Sequence, residues 1–291
     1  MKEHSSSVAL IPTGQLALLP LHAAWMDEAS QPTNRRYALD ELRITYAPST
    51  HALWQASLTS ERPIDRLMAV DNPDGTLKFS EDEVQAALEV FENPKYLPGQ
   101  EATVEVVKAE MQKANVLHFS THGRAGWQDG EQARLLLADG DLTLPDIFAL
   151  HLNRARLAVL SACETGVPGM GLIEEMIGLP AGMMQAGVPG VIGSLWSVSD
   201  MSTAMLMARF YSLWREDNQS PIEALRRAQI WLRDSTTEDK KRLFKHFVEK
   251  QGLRMSAHTA QAFYEHIGWD DPKMRVFSSP YYWAAFTYTG V

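Results

Sequence analysis

VLHFSTHG at residues 116–123 and LAVLSACETG at residues 157–166 decide the fold. Each opens as a short apolar run and closes on small and polar residues. Apolar runs that do not alternate suit strands covered on both faces, as in a parallel sheet. Outward from these two, RITYA (43–47), RLMAV (66–70), VPGVIGSLW (188–196) and YWAAFTY (282–288) have the same character. The opening VALIPTGQLALLPLHAAW (8–25) predicts two short strands around the turn Pro12-Thr13-Gly14.

Helical patterns separate the strands. EDEVQAALEVF (81–91) places Val84, Leu88 and Phe91 on one face, with Ser80 expected as the N-cap. Residues 102–113 repeat the arrangement. Pro180 opens a helix over 180–186 and Gly187 closes it. Longer amphipathic helices are expected over 200–214 and 221–232. Strands alternating with helices predict an α/β layered domain. ARLLLADGDLTL (133–144) carries Asp139-Gly140 between apolar residues, a hairpin signal. Residues 235–279 differ: they are polar and helix-prone, with six basic residues in TTEDKKRLFKHFVEKQGLR. Leu243, Phe244, Phe247 and Val248 give the first helix there an apolar stripe. Two roles are open to it, packing on its own domain or docking a partner.

Composition sets bounds. With 291 residues, 45% hydrophobic and 22% charged, the chain is long enough to bury a large core. Its one cysteine, Cys163, excludes an intrachain disulfide framework and a cysteine-cluster zinc site, and fits a reducing, cytoplasmic setting. A net charge of −9 argues against a partner with a phosphate backbone, so no directly bound nucleic acid is expected. No apolar run reaches membrane-span length, and MKEHSSS lacks a signal-peptide pattern. No membrane association is expected.

In open α/β sheets, ligands sit beyond the carboxyl ends of the strands. If the strands at 116–120 and 157–161 are neighbours, His122 and Cys163 share one crevice. A thiolate is a nucleophile, and a nearby imidazole takes the thiol proton and later protonates a leaving amine. Gly123 admits close backbone approach, and the amides of Gly123 and Cys163 are candidates for an oxyanion hole. The competing role for Cys163 is that of a small buried hydrophobe.

The sequence resembles the CHAT-domain peptidases, caspase-like cysteine peptidases related to separase. VLHFSTHG is similar to the family's catalytic-histidine motif and LAVLSACETG to its catalytic-cysteine motif. The resemblance extends through the opening LIPTGQLALLPLHAAW and through LMAVDNPDGTLKFSEDEV, GLPAGMMQAGVPGVIGSLWSVSD and SPYYWAAFTYTG. It implies a caspase-like three-layer sandwich, with a mostly parallel sheet and helices on both faces. It further implies Cys163 as nucleophile, His122 as its partner, and an oxyanion hole at Gly123 and Cys163. In separase-like relatives, an acidic residue in a W-x-V-x-D segment lines the S1 pocket. Asp200 matches that position, with helix N-cap as its other open role. Trp196 is either a wall of that pocket or core filling. The first strand begins within ten residues of Met1, so the chain is expected to be a standalone enzyme or an excised domain. The 235–279 segment is longer than the family's usual connection.

Other residues have more modest expected roles. Glu164 is an orienting or structural carboxylate, since a negative charge beside a thiolate raises the thiol pKa. His118 lies four residues before His122, on the same face if the strand continues. No acidic or thiol ligand is suitably spaced beside the two, so no metal site is assigned and His118 is expected as a hydrogen-bonded core residue. Trp127 is a flap over the substrate groove or a packed loop residue.

The expectation is a single domain over residues 1–291, with a polar helical insertion at about 235–279, acting as a cysteine endopeptidase. Its partners would be protein or peptide substrates and a sensor or regulatory protein; no cofactor is needed for Cys–His acyl transfer. Relatives serve in bacterial defence and cell death, which implies regulated activity. The alternative is a catalytically silent CHAT module serving as an interaction scaffold. A Rossmann nucleotide binder is excluded, because no G-x-G-x-x-G follows the first strand.

Overall fold

Period-two burial along the central strands sorts the core into two layers. The computed structural model describes residues 6–124, 133–161, 178–249, 257–267 and 271–291. In chain order the first elements are β1 (Ser6–Leu10), β2 (Trp25–Asp27), β3 (Arg35–Tyr37), α1 (Ala38–Glu41), β4 (Leu42–Tyr46) and α2 (Thr50–Ser57). Next come β5 (Leu67–Asp71), α3 (Ser80–Leu88), β6 (Lys95–Pro98), α4 (Val104–Met111) and β7 (Val116–Ser120). A small sheet of β8 (Gly123–Arg124), β9 (Arg134–Leu136) and β10 (Asp141–Thr143) follows, then α5 (Leu144–Ala149) and β11 (Leu157–Leu160). The remainder is α6 (Leu179–Gln185), β12 (Gly190–Ser194), α7 (Asp200–Arg215), α8 (Pro221–Asp234), α9 (Thr237–Glu249), α10 (Ala257–His266), α11 (Pro280–Trp283) and β13 (Phe286–Gly290).

Eight strands form the central sheet in the order β1-β4-β13-β12-β11-β7-β5-β6. From β12 to β6 all neighbours are parallel. β1, β4 and β13 are parallel to one another and run the opposite way, because β13 meets β12 antiparallel. Leu67, Ala69, Val116, Val159 and Ile192 face one layer, which includes α3, α7 and α8. Met68, Val70, Leu117, Phe119 and Leu160 face the other, with α4, α5 and α6. Successive side chains on a strand point to opposite faces, so unbroken apolar runs require helices on both. This is the expected three-layer α/β sandwich.

Three local expectations need correction, and one strand is new. After β1, the segment expected as a second strand forms 3₁₀ turns over Gly14–Leu18 and Leu21–Ala23, with Gly14 at φ 56°. The last strand starts later than expected, since Pro280 opens α11 with Ser279 capping the Tyr281 amide. Ser80 is the first residue of α3 rather than its cap, because its hydroxyl turns inward to Asp71 and Ser120. β6 was not anticipated; a lysine and a proline suit an edge strand and hide it in the sequence. The hairpin at Asp139-Gly140 is present as β9 and β10, with Leu137 N donating to Gly140 O at 2.8 Å.

The 235–279 segment joins the layer that holds α7 and α8. Phe244 of α9 and Phe263 of α10 are buried with ring centroids 5.1 Å apart, and Trp231 meets Phe244 edge-on. Lys240 is 1% exposed, donating to the carbonyl and hydroxyl of Ser235 at 2.7 and 2.8 Å. Burial pushes its ammonium down to about 8. No helix among the described residues is long and apolar enough to cross a membrane.

Candidate active site

β7 and β11 are neighbours in register, Val116 opposite Leu157 and Phe119 opposite Leu160. Their carboxyl ends therefore open at one edge, tied by Ser161 N donating to Phe119 O at 2.9 Å. Beyond β7 the chain turns through Thr121, whose hydroxyl donates to Leu136 O at 2.5 Å. Leu136 N in turn donates to His122 O at 2.8 Å. His122 is thus clamped by the small sheet before the chain enters β8. Gly123 stands opposite Leu135. Because the neighbouring His122–Leu136 position makes the ladder bond, Gly123 turns its own amide away from β9.

The His122 side chain is 33% exposed and held from the loop after β5. That loop, Asn72-Pro73-Asp74-Gly75-Thr76, is a hydrogen-bonded turn, with Gly75 N donating to Asn72 O at 3.1 Å. Asn72 and Gly75 adopt φ 47° and 74°, a region that favours glycine and asparagine. The Asn72 carboxamide bridges both backbone groups of Leu77, at 3.0 and 2.9 Å. Asp74 Oδ1 accepts from the Thr76 amide at 3.2 Å and from its hydroxyl at 2.9 Å. Thr76 Oγ1 then lies 2.7 Å from His122 Nε2, with Asp74 Oδ2 3.7 Å from the same nitrogen. Since the threonine proton goes to Asp74, its oxygen accepts from Nε2–H. That leaves Nδ1 of the neutral ring as the proton acceptor. Thr76 and Asp74 were missed in the sequence, where the only signal is the N-P-D-G turn after an apolar strand.

Beside Thr121, which leads into His122, is a narrow crevice of about 20 Å³, room for little more than one water molecule. Leu77, Phe79 and Val198 wall it; Glu83, Ser161 and Asp200 contribute polar groups. Asp200 is the first residue of α7, and Ser199 holds the N-cap position. The Asp200 carboxylate instead accepts the Lys78 amide at 3.3 Å. It thereby ties α7 to the loop that carries Thr76. Trp196 is not among the residues lining this crevice; its indole donates to Tyr281 O at 3.0 Å and its ring packs against the core, as in the second of its two open roles.

His118 is fully buried beneath the site and far from the His122 ring in role. Its Nδ1 is 2.9 Å from the Tyr211 hydroxyl, and its Nε2 is 3.3 Å from Glu83. Burial first, and the Glu83 charge second, hold that hydroxyl well above its ordinary value, so Tyr211 remains a donor. No group of three or more His, Cys, Asp and Glu that could hold a metal occurs among the described residues. Cys163, with the amide assigned to the oxyanion hole, lies outside the described residues, as do Glu164 and Trp127.

The family model of the CHAT domain matches residues 2–291. No curated protein matches the sequence significantly. Among solved structures, separase in the Saccharomyces cerevisiae separase–securin complex is similar at TM-score 0.56 and 17% identity, over 76% of this chain. The Arg-specific cysteine proteinase gingipain R is similar at TM-score 0.50 and 10% identity, over 86% of this chain. The complex of Porphyromonas gingivalis RgpB pro- and mature domains gives 0.50 and 9%, over 86% of this chain and 55% of that one. The chain spans 14% of the separase chain and 54% of the gingipain R chain. At these identities the likeness is one of fold, the caspase-like α/β sandwich.

Proposed function

The chain belongs to the CHAT-domain family, and on that premise we propose that it is a cysteine endopeptidase with Cys163 as nucleophile and His122 as its base. The observation that carries this reading is the built support of His122, at the carboxyl end of β7, beside the strand that leads in sequence to Cys163. The Thr76 hydroxyl and the Asp74 carboxylate orient a partly exposed ring at a strand end, which supports a chemical task for it.

In this reading Nδ1 of His122 takes the Cys163 thiol proton. The thiolate attacks the scissile carbonyl carbon, and the carbonyl oxygen becomes an oxyanion facing the Gly123 and Cys163 amides. The C–N bond then breaks, with the imidazolium protonating the departing amine. Water, deprotonated by His122, cleaves the thioester and restores the thiol. Asp74 sits opposite the positive charge that the ring carries between these steps. Thr76 fixes which nitrogen holds the proton.

Asp200 at the crevice mouth favours a basic P1 residue, and gingipain R, which shares the fold, is named as Arg-specific. We read residues 1–291 as one domain acting in the cytoplasm on protein substrates. Separase in the solved complex is bound to securin, which supports a regulatory protein partner here, within a defence or cell-death pathway. The test is cleavage of a peptide library by the wild type and by Cys163→Ala, with the variant expected to be inert.

A further inference from the structure

A far larger space lies at the opposite edge of the central sheet from His122. Val116, Leu157 and Gly190 share a register, so β7, β11 and β12 begin at one edge and end at the other. His122 follows the carboxyl end of β7, whereas Val188 and Pro189 precede β12. β7 and β12 have five residues each, which sets the two edges roughly 15 Å apart. Between α2, α6 and the Val188-Pro189 segment is an open groove of about 620 Å³. Small-molecule sites typically enclose roughly 300–1,000 Å³, so the groove has room for an organic ligand.

Its lining is apolar in part and charged with one sign. Ala56, Met184 and Val188 supply apolar surface. Gln55, Asn153 and Gln185 add carboxamides that make no side-chain hydrogen bond among the described residues. None of the described lining residues is acidic, although the chain carries a net charge of −9. The basic groups are Arg62, part-buried, and His51, which is exposed.

Arg62 is anchored without being neutralised. Its Nη1 donates to Ala155 O and Gly187 O at 2.8 and 2.6 Å, and to Leu152 O at 3.3 Å. Among the described residues, Nε and Nη2 have no acceptor and no carboxylate pairs with the group. Nε–H and Nη2–H lie side by side on one edge of the planar guanidinium, the fork that grips a carboxylate or phosphate bidentately. A part-buried cation without a counter-ion is costly. Burial first, and the like charge of Arg156 second, push its pKa down. An oxyanion in the groove offsets both.

We propose that this groove is a binding site for a small organic anion, its carboxylate or phosphate held by Nε and Nη2 of Arg62 and its apolar body against Met184 and Val188. The three carboxamides, each both donor and acceptor, read polar groups on that body. The site shares no residue with the crevice or with His122, so it stands apart from the peptidase reading.

The test titrates 2-naphthoate, 2-naphthyl phosphate and the neutral 2-naphthamide into the full chain by ligand-observed NMR. One anion or both should bind saturably, at least about tenfold tighter than the amide. Whichever anion binds tighter identifies the oxyanion that the fork prefers. Arg62→Gln should cut the preference for anion over amide by about tenfold. Gln55→Glu, at an exposed position, leaves the Arg62 contacts intact and places a carboxylate in the groove. It should weaken anion binding by about tenfold with amide binding little changed, and it serves as the variant if Arg62→Gln does not fold. Failure of both anions to bind, an amide that binds as tightly as either, or an anion preference unaltered in either folded variant overturns the proposal.

Discussion

His122 Nε2 lies 2.7 Å from Thr76 Oγ1, across 46 residues of sequence and two parallel strands. The threonine proton is committed to Asp74, so the contact sets both the orientation of the ring and the nitrogen that is free to act. Thr76→Val removes that acceptor at little cost in volume. It is expected to lower kcat by about 10–100-fold with KM little changed, while Thr76→Ser restores the rate. An equal loss in the serine variant would mean that the hydroxyl is not what matters.

Asp200 receives the Lys78 amide, a bond that a carboxamide oxygen still accepts. Asp200→Asn should therefore change stability by well under about 1 kcal/mol. The preference for Arg and Lys over Met at P1 should weaken when matched peptides are compared. An unchanged profile would reduce Asp200 to a tie between α7 and the loop, and efficient cleavage after Asp would contradict the specificity.

Chemistry by thiol and imidazole predicts inactivation by iodoacetamide or a peptidyl electrophile, and indifference to chelators. A chelator-sensitive hydrolase that ignores alkylation would require a metal and would end the thiol mechanism. His118 is an unsuitable ligand for such a metal, being enclosed by Tyr211 and Glu83.

Lys240 gives a prediction about stability. Burial lowers its pKa from 10.5 to about 8, opposed by Asp239 and Asp234 and reinforced by Arg275. Between those two values the unfolded chain binds a proton that the folded chain has released. Stability from this group therefore rises as pH increases from about 8 to 10.5. Lys240→Met should abolish that rise in thermal unfolding measured across the window. An unaltered pH dependence would place the ammonium in water. The α9–α10 pair also reaches the site, since His266 meets the crevice wall Phe79 edge-on at 5.2 Å.

The strands β5, β7, β11 and β12 were legible to within a residue or two, because burial on both faces leaves only apolar side chains along them. β6 was not, since an edge strand carrying Lys95 and Pro98 has the composition of a loop. The hydroxyl of Ser80 has the right chemistry for a cap, but Asp71 and Ser120 compete for it from strands whose placement against α3 no local pattern reveals. His122 stood out at the end of its strand. Thr76, Asp74 and Glu83 did not, because they come from a loop and a helix that the β5–β7 pairing brings alongside. Their spacing from His122 in the chain carries no information about that pairing.

The most direct measurement is a peptide-library cleavage profile of the wild type beside Cys163→Ala, with labelling by an arginyl thiol-reactive probe. The account predicts cleavage after basic residues and labelling at Cys163 in the wild type, and neither in the variant. Cleavage that persists in folded Cys163→Ala would contradict it.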